Sequence, residues 1–312
     1  MRCWHKRKIG SPACTVSKRM TATVKPYRND SVSLFVATLL LSLLLHPHEA
    51  CRAQTPASGA PSPVSLVEEV ARVQIAMLSR DGWYLRYRTH RVDDKNDVVR
   101  DVIETPDGNV ARLILRDGHS LSREEDTAER SRLKGISKSS LQKKKKQESS
   151  GQSLAVDLIG AMPKAMLYSY APGQPQSRSG AHDEIVLDYK PNPAFHPTST
   201  PQEGLTGLEG RMWIDGKDHH LIRMDGHIIR NVNLAWGLVA RIYPGGTIQM
   251  TQAKIGEGRF VYESLLMDLT IRELLVRTVH MKSMMRAENF QALPHTLSSD
   301  EAIRTLLDTP LP

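Results

Sequence analysis

The stretch GLEGRMWID (207–215), followed after a short turn by HHLIRMDGHI (219–228), decides the fold of this chain. Met212 and Ile214 alternate with polar residues in the first segment, and Met224 does the same in the second. Because successive side chains of a strand point to opposite faces, this period of two predicts β-strands with one buried face.

Four further segments extend the pattern to Glu288, and they are LAWGLVARIY (234–243), GTIQMTQAKI (246–255), RFVYESLLMDLT (259–270) and IRELLVRTVHMK (271–282). Asp215-Gly216-Lys217-Asp218 has the composition of a tight hairpin turn. The stretch therefore predicts successive antiparallel strands, with the main sheet ending near Ala287.

The residues before this sheet predict one helix and a three-stranded meander. The helix is expected to begin at Ser65, which forms a capping box with Glu68, and to end at Gly82. Strands are expected over residues 83–92, 98–105 and 110–116, with Asp107-Gly108 as a hairpin turn. A short apolar helix ending near Pro163 and strands over residues 167–171 and 184–190 follow, before a proline-rich crossing loop at 191–201.

Residues 120–150 form a charged insertion. Ser122 with Glu125 predicts a helix start, and the run from Lys143 to Lys146 allows two interpretations. The run could contact anionic lipid headgroups. It could also belong to a solvated, partly disordered excursion between strands, which is the interpretation we adopt.

The first 53 residues have the features of an export leader. Ser33 to Leu45 is a 13-residue apolar run, which suits a signal peptide and is short for a membrane span. We expect the true start to be Met20 or the leader to be unusually long, with cleavage near Ala50 or Ala53. Residues 54–64 are then a Pro/Ala linker, 65–290 the folded domain and 291–312 a tail in which residues 300–307 are expected to form one or two closing helical turns.

The leader also carries all three cysteines and the excess positive charge. It holds nine of the 42 basic and two of the 34 acidic residues. The remainder therefore holds 33 basic and 32 acidic residues and is close to neutral. Nucleic acid is therefore not an expected partner. We expect a periplasmic or otherwise exported protein, with membrane anchoring by an uncleaved leader or by lipidated Cys51 left open as alternatives.

Several short motifs together resemble the LolA-like superfamily of outer-membrane lipoprotein-sorting and lipid-carrier proteins, and more specifically uncharacterised exported proteins of that type. They are the strand end Gly210-Arg211-Met212-Trp213-Ile214-Asp215, the strand core Leu221-Ile222-Arg223, the passage Asp117-Gly118 with Leu121-Ser122-Arg123-Glu124-Glu125, and the turn Tyr243-Pro244-Gly245-Gly246-Thr247. The resemblance covers most of residues 65–290. The long insertion and the basic leader depart from it.

The resemblance implies an α+β fold that is mainly antiparallel β, in which a curved half-barrel sheet is packed by one or more helices. It also implies that an acyl chain or an acylated partner binds in the apolar concave face of that sheet. The alternating strands supply candidate lining residues, four of them adaptable methionines: Met212, Ile214, Ile222, Met224, Leu238, Met250, Leu265 and Met267. These residues could equally form a self-filled core.

Catalytic and metal sites are not predicted. His219 and His220 are adjacent and would point to opposite faces of a strand, so they are poorly placed to share one metal. No G-x-S-x-G, HExxH or P-loop string occurs in the chain.

The sequence therefore predicts a non-enzymatic cell-envelope protein that binds a lipid or an acylated partner, with no cofactor. Contact with a membrane surface through Lys143, Lys144, Lys145 and Lys146 is a further possibility. A structural or interaction module with a self-filled core is the alternative.

Overall fold

The computed structural model describes residues 61–78, 84–174, 184–235, 237–256, 259–274 and 276–312. The predicted leader, Cys51 and Gly82 lie outside these residues. The helices are α1 (Pro63–Leu78), α2 (Arg123–Lys134), α3 (Lys138–Ala165), α4 (Thr200–Glu203) and α5 (Ser299–Asp308), with a 3₁₀ turn at Gly204–Thr206.

The strands are β1 (Leu85–Asp93), β2 (Asn96–Ile103), β3 (Val110–Arg116), β4 (His119–Ser120), β5 (Met166–Tyr170), β6 (Glu184–Pro191), β7 (Leu208–Asp215), β8 (Leu221–Ile228), β9 (Val232–Leu234), β10 (Ala240–Ile242), β11 (Thr247–Gly256), β12 (Arg259–Glu273) and β13 (Arg277–Ala292). They form one antiparallel sheet in the order β4-β3-β2-β1-β13-β12-β11-β8-β7-β6-β5, with β10 paired to β12 and β9. Because β4 and β5 lie at the two edges, the sheet is open. The predicted α+β half-barrel is confirmed.

Gly210 is required by close packing between β7 and β8. A Cβ at this position would lie 1.9 Å from the Asp225 carbonyl oxygen and 2.6 Å from the Tyr189 hydroxyl. Tyr189 donates its hydroxyl hydrogen bond to that same carbonyl. The glycine of the predicted strand end therefore makes room for a side chain that ties β6 to β8.

Two hydrophobic clusters lie beneath the helices. The larger one joins Leu66, Val67 and Val70 of α1 and Leu158 of α3 to strands β5–β12. The smaller one joins Leu133 of α2, Leu141 of α3 and Ile303 and Leu306 of α5 to Ile103 and Val110 at the β2–β3 end. Helix α3 therefore reaches both clusters, one near each of its ends.

Three predicted boundaries were wrong. Helix α1 begins at Pro63 rather than Ser65, because Ser62 supplies the cap: its Oγ accepts from the Ser65 N–H at 3.1 Å. Residues 234–243 are not one strand but the ends of β9 and β10, joined by a turn in which Ala235 and Gly237 have positive φ values of 49° and 81°. Residues 271–282 are likewise divided between β12 and β13, and the sheet continues to Ala292.

The predicted disorder of the charged insertion was also wrong. The helix start predicted at Ser122 is confirmed, and Ser122 forms a capping box with Glu125 at the start of α2. After a short break, Ser137 caps α3, which runs for 28 residues and has Pro163 in its last turn. Lysine, glutamine and glutamate have good helix propensity, so the polar run continues the helix instead of interrupting it.

Candidate functional site

Six of the eight predicted lining residues are buried within the larger cluster, and they are Met212, Ile214, Met224, Met250, Leu265 and Met267. The methionines pair across the strands: Met212 lies opposite Met224, and Met224 opposite Met250. Met212 is fully buried. This part of the sheet is filled by its own side chains and by the helices above it.

The other two predicted lining residues are not buried. Ile222 is half-buried, because an irregularity between β7 and β8 pairs Ile214 with Leu221 and gives Leu221 the buried position. Leu238 lies in the turn between β9 and β10 and is 56% exposed. Neither residue therefore belongs to the buried face of the sheet.

A cavity of about 590 Å³ lies beside the larger cluster, above β1, β12 and β13. The end of α1 contributes Met77 and Leu78, and the middle of α3 contributes Glu148 and Gln152. Of the predicted lining residues only Leu265 borders this cavity. Among the residues that the structure describes, the sheet therefore has an apolar region left uncovered, and it lies nearer to β1 and β13 than the sequence predicted.

The cavity exists because the middle of α3 carries no apolar side chain. Residues 142–153 read QKKKKQESSGQS. They lie between Leu141, which belongs to the smaller cluster, and the buried Ala155, which is followed by Leu158 of the larger cluster. From Leu141 to Ala155 a helix rises about 21 Å, at 1.5 Å per residue. Over that length α3 spans the sheet without filling the space beneath it.

The floor of the cavity is apolar and partly aromatic. The rings of Tyr87 and Phe290 stack with centroids 5.5 Å apart and an interplanar angle of 27°. A bulge where β1 pairs with β13, with Asn289 at φ 57°, brings both Ala287 and Phe290 to the cavity although they are three residues apart. Burial raises the pKa of Tyr262 to about 12, so this phenol stays neutral at physiological pH.

Two carboxylates border the same cavity. Glu104 follows β2 and accepts a hydrogen bond from the Leu85 N–H at 3.0 Å, while its Oε2 lies 3.7 Å from Arg259 Nη2. Glu148 on α3 lies 3.8 Å from Lys144, one helical turn earlier. Burial raises the pKa of Glu104 and of Glu148 above 4.5, and the charge of Glu148 raises that of Glu104 further. Perturbed acids inside a cleft are typical of functional sites.

The four lysines suggested for membrane contact are all exposed on α3. Two of them make intramolecular contacts: Lys145 Nζ donates to the Pro106 carbonyl at 2.8 Å, and Lys144 approaches Glu148. Lys138 and Gln142 of the same helix contact Asp107. Polar interactions therefore hold this half of α3 against the β2–β3 turn.

The structure brings together part of the group around His219 and His220 that the sequence analysis weighed as a metal site. Ligand atoms of Asp215, Asp218 and the buried His220 lie within 4.8 Å of one another at the β7–β8 turn. The carboxylate of Asp215 accepts from the Lys217 and Asp218 N–H groups, and Lys254 forms an ion pair with Asp218. These contacts account for both carboxylates as parts of a turn, and the absence of a metal site stays a prediction.

Sequence reasoning missed the cavity because it could not show which parts of the chain lie beside the start of β12. The largest share of the floor, Arg259 to Leu265, comes from β12, and β1 and the end of β13 supply the rest of the strand residues. The roof comes from the end of α1 and from the charged insertion. One signal was available in the sequence: residues 142–153 form a run of twelve residues without an apolar side chain.

Two solved structures are similar to this chain. One is a domain named for outer membrane lipoprotein sorting from Vibrio parahaemolyticus, with 8% identity, a TM-score of 0.30, and coverage of 77% of this chain and 99% of the other. The second is a DUF1329 family protein from Desulfovibrio piger, with 10% identity, a TM-score of 0.26, and coverage of 74% and 94%. The resemblance predicted from the sequence is confirmed in the sense that a lipoprotein-sorting domain is among the similar structures. Neither likeness carries an argument about function.

No family model matches the chain, and no curated protein matches it. Among the residues that the structure describes, none of the helices combines the length and the apolar character needed to cross a membrane.

Proposed function

We propose that this protein is an exported, non-enzymatic carrier of the cell envelope that binds a lipid or the acyl chain of an acylated partner in the cavity between α3 and the sheet. The observation that carries this proposal is the pairing of an apolar floor with a polar roof. Tyr87, Met285 and Phe290 offer apolar surface, and α3 covers them with Glu148 and Gln152.

An amphiphile satisfies both surfaces of such a cavity. Its chain would cover the aromatic floor and recover the hydrophobic stabilisation that α3 does not provide. Its polar end would stay close to the carboxylates and amides. A volume of about 590 Å³ is within the range of about 300–1,000 Å³ that is common for small-molecule sites.

The lining set predicted from the sequence is revised in this proposal. Leu265 remains in it, whereas Met212, Met224 and Met250 stabilise the domain as core residues. The complete burial of Met212 and Ile214 is what supports the alternative, a structural module of the envelope with a self-filled sheet. That alternative accounts for the larger cluster and leaves the cavity beside it without a role.

Delivery to a membrane surface is a further part of the proposal. Lys143 and Lys146 are exposed on the roof helix, a short distance along the chain from Glu148. Anionic headgroups attract such clusters with about 1 kcal/mol per basic residue near the surface. Replacing both lysines with glutamine should weaken co-sedimentation with vesicles that contain anionic lipid and leave that with neutral vesicles unchanged.

The test of the carrier function is a steric block of the cavity. Ala287→Trp places an indole at the floor, and the fluorescence of N-phenyl-1-naphthylamine, a neutral apolar probe, reports binding to purified protein. Glu288→Trp is the matched control, because the adjacent residue of β13 is exposed and does not border the cavity. We expect Ala287→Trp to remove probe binding and Glu288→Trp to preserve it.

Native mass spectrometry of protein purified from the periplasm supplies the second measurement. A co-purifying lipid supports the carrier. Protein that is reproducibly empty, and that binds the probe equally well in both tryptophan variants, would contradict it.

A further inference from the structure

The cavity has an acidic polar end, and this limits which amphiphile it can hold. Glu104 and Glu148 approach it from opposite sides, one at the end of β2 and the other on the roof helix. The two side chains are 26% and 35% exposed, so neither is fully hydrated. Two carboxylates in a partly desolvated space favour a positive charge placed between them.

Each of the two carboxylates has one basic group nearby, at a distance longer than a direct hydrogen bond. Arg259 Nη2 is 3.7 Å from Glu104, and Lys144 Nζ is 3.8 Å from Glu148. Both distances exceed the usual 2.7–3.2 Å of a hydrogen bond from nitrogen to oxygen. Lys144 is also 53% exposed and does not border the cavity. The cavity wall carries the carboxylates of Glu104, Glu148 and the exposed Glu263 against the guanidinium of Arg259, a net negative charge.

The raised pKa values of the two glutamates have the same physical origin. Burial disfavours their charged forms, and the charge of Glu148 adds to this effect at Glu104. A bound cation would relieve both effects, because it stabilises the charged form of each carboxyl group. An anionic end would add a further negative charge to the same space and increase the repulsion.

We infer that the cavity selects a single-chain amphiphile whose polar end is an ammonium group, held between Glu104 and Glu148 while its alkyl chain lies on the Tyr87–Phe290 floor. This inference rests on the proposed function, which requires only that an apolar chain enters the cavity. The inference adds one requirement, which is a positive charge on the polar end of the amphiphile.

Three probes with the same twelve-carbon chain separate these two statements: dodecylammonium, dodecanol and dodecanoate. Dodecylammonium and dodecanoate are used below their micellar concentrations and dodecanol below its solubility limit, to displace N-phenyl-1-naphthylamine from the full chain at pH 7 and low salt. We expect dodecylammonium to bind at least tenfold more tightly than dodecanoate, with dodecanol between them. The double variant Glu104→Gln/Glu148→Gln should bring the three affinities within about threefold, whereas the exposed Glu288→Gln should leave them unchanged.

The outcomes distinguish the two levels of the proposal. If dodecanoate binds as tightly as dodecylammonium, for example by pairing with Arg259, the ammonium inference is wrong and the carrier function stands. If none of the three probes displaces the fluorophore, the carrier function fails with it. If the double variant does not fold, the relative affinities of the three probes for the wild-type protein are enough to test the ammonium inference.

Discussion

Truncation of two methionines, Met212→Ala and Met285→Ala, separates the residues that stabilise the sheet from those that would contact a ligand. Both residues lie on strands of the same sheet, in β7 and β13. Met212 belongs to the larger cluster and is fully buried, whereas Met285 borders the cavity and is 43% exposed. The two substitutions remove the same atoms from opposite environments.

The expected effects on stability follow from burial. Truncating a fully buried methionine costs about 2–5 kcal/mol, because the transfer term is lost and a void remains between Leu187 and Met224. Full burial of such a side chain is worth about 1.5–3 kcal/mol, and Met285 is only partly covered. We therefore expect Met285→Ala to lower the free energy of unfolding by about 1 kcal/mol or less.

The expected effects on binding have the opposite order. A ligand chain on the cavity floor would cover Met285, and about 0.8 kcal/mol is lost for each CH₂-sized group that stays exposed. Losing roughly two such contacts should make the binding free energy less favourable by about 1.4 kcal/mol or slightly more. This change corresponds to about tenfold weaker binding. Met212→Ala should leave affinity unchanged, because Met212 does not border the cavity.

Urea denaturation followed by circular dichroism gives the stabilities, and titration with N-phenyl-1-naphthylamine gives the affinities. The m-values must agree between the variants if the free energies are to be compared. The reasoning is refuted if folded Met212→Ala binds the probe about tenfold more weakly while Met285→Ala binds normally. That result would return the ligand site to the methionine-rich strands predicted from the sequence.

Three further predictions concern the roof, the acids and the closing helix. Gln152→Leu should fill the cavity from above, and it should therefore stabilise the protein and weaken probe binding. Ser153→Leu, at the exposed neighbour, should change neither the stability nor the affinity for the probe. Urea denaturation reports the stability and probe titration reports the affinity. Burial raises the pKa of Glu104 and Glu148 above 4.5, so between pH 4.5 and the raised pKa values the folded chain binds more protons than the unfolded chain. The free energy of unfolding should therefore fall as the pH rises through that range. Urea titrations at several pH values should show a smaller fall for the variant Glu104→Gln/Glu148→Gln. Arg112 is buried and donates hydrogen bonds to the Leu306 and Thr309 carbonyls and to a carboxylate on α2. Arg112→Met should therefore lower the free energy of unfolding by about 3–5 kcal/mol, measured as a lower urea midpoint. A decrease below about 1 kcal/mol would contradict this expectation.

The strands could be predicted where alternation and turn chemistry agree. Asp107-Gly108 and the turn after Asp215 both stand between alternating segments, and the hairpins formed as expected. The prediction failed where an apolar run crosses a turn without proline or an Asn-Gly type pair. In LAWGLVARIY the chain reverses with Ala235 in the left-handed region, which residue preferences alone do not indicate.

The long helix α3 could not be predicted from periodicity, because its middle has none. A polar run rich in lysine and glutamine is compatible with a solvated loop and with a surface helix. The ends decide between them: the Ser137 cap starts the helix, and Leu141 and Leu158 attach it to two different clusters. These attachments are tertiary contacts, so they are visible in the structure and not in the local sequence.

The position of the candidate site depends on a property that no single strand contains. Alternation identifies the face of a strand that turns inward, and it did so correctly for Met212 and Met224. It does not show whether another part of the chain covers that face. Coverage is decided by the helix that crosses above, and α3 brings leucines to both of its anchored ends but only the polar Glu148 and Gln152 to the cavity between them. A ligand site in an open sheet of this kind is therefore to be sought beneath the polar segment of its covering helix, because there the described part of the chain leaves apolar surface of the sheet unburied.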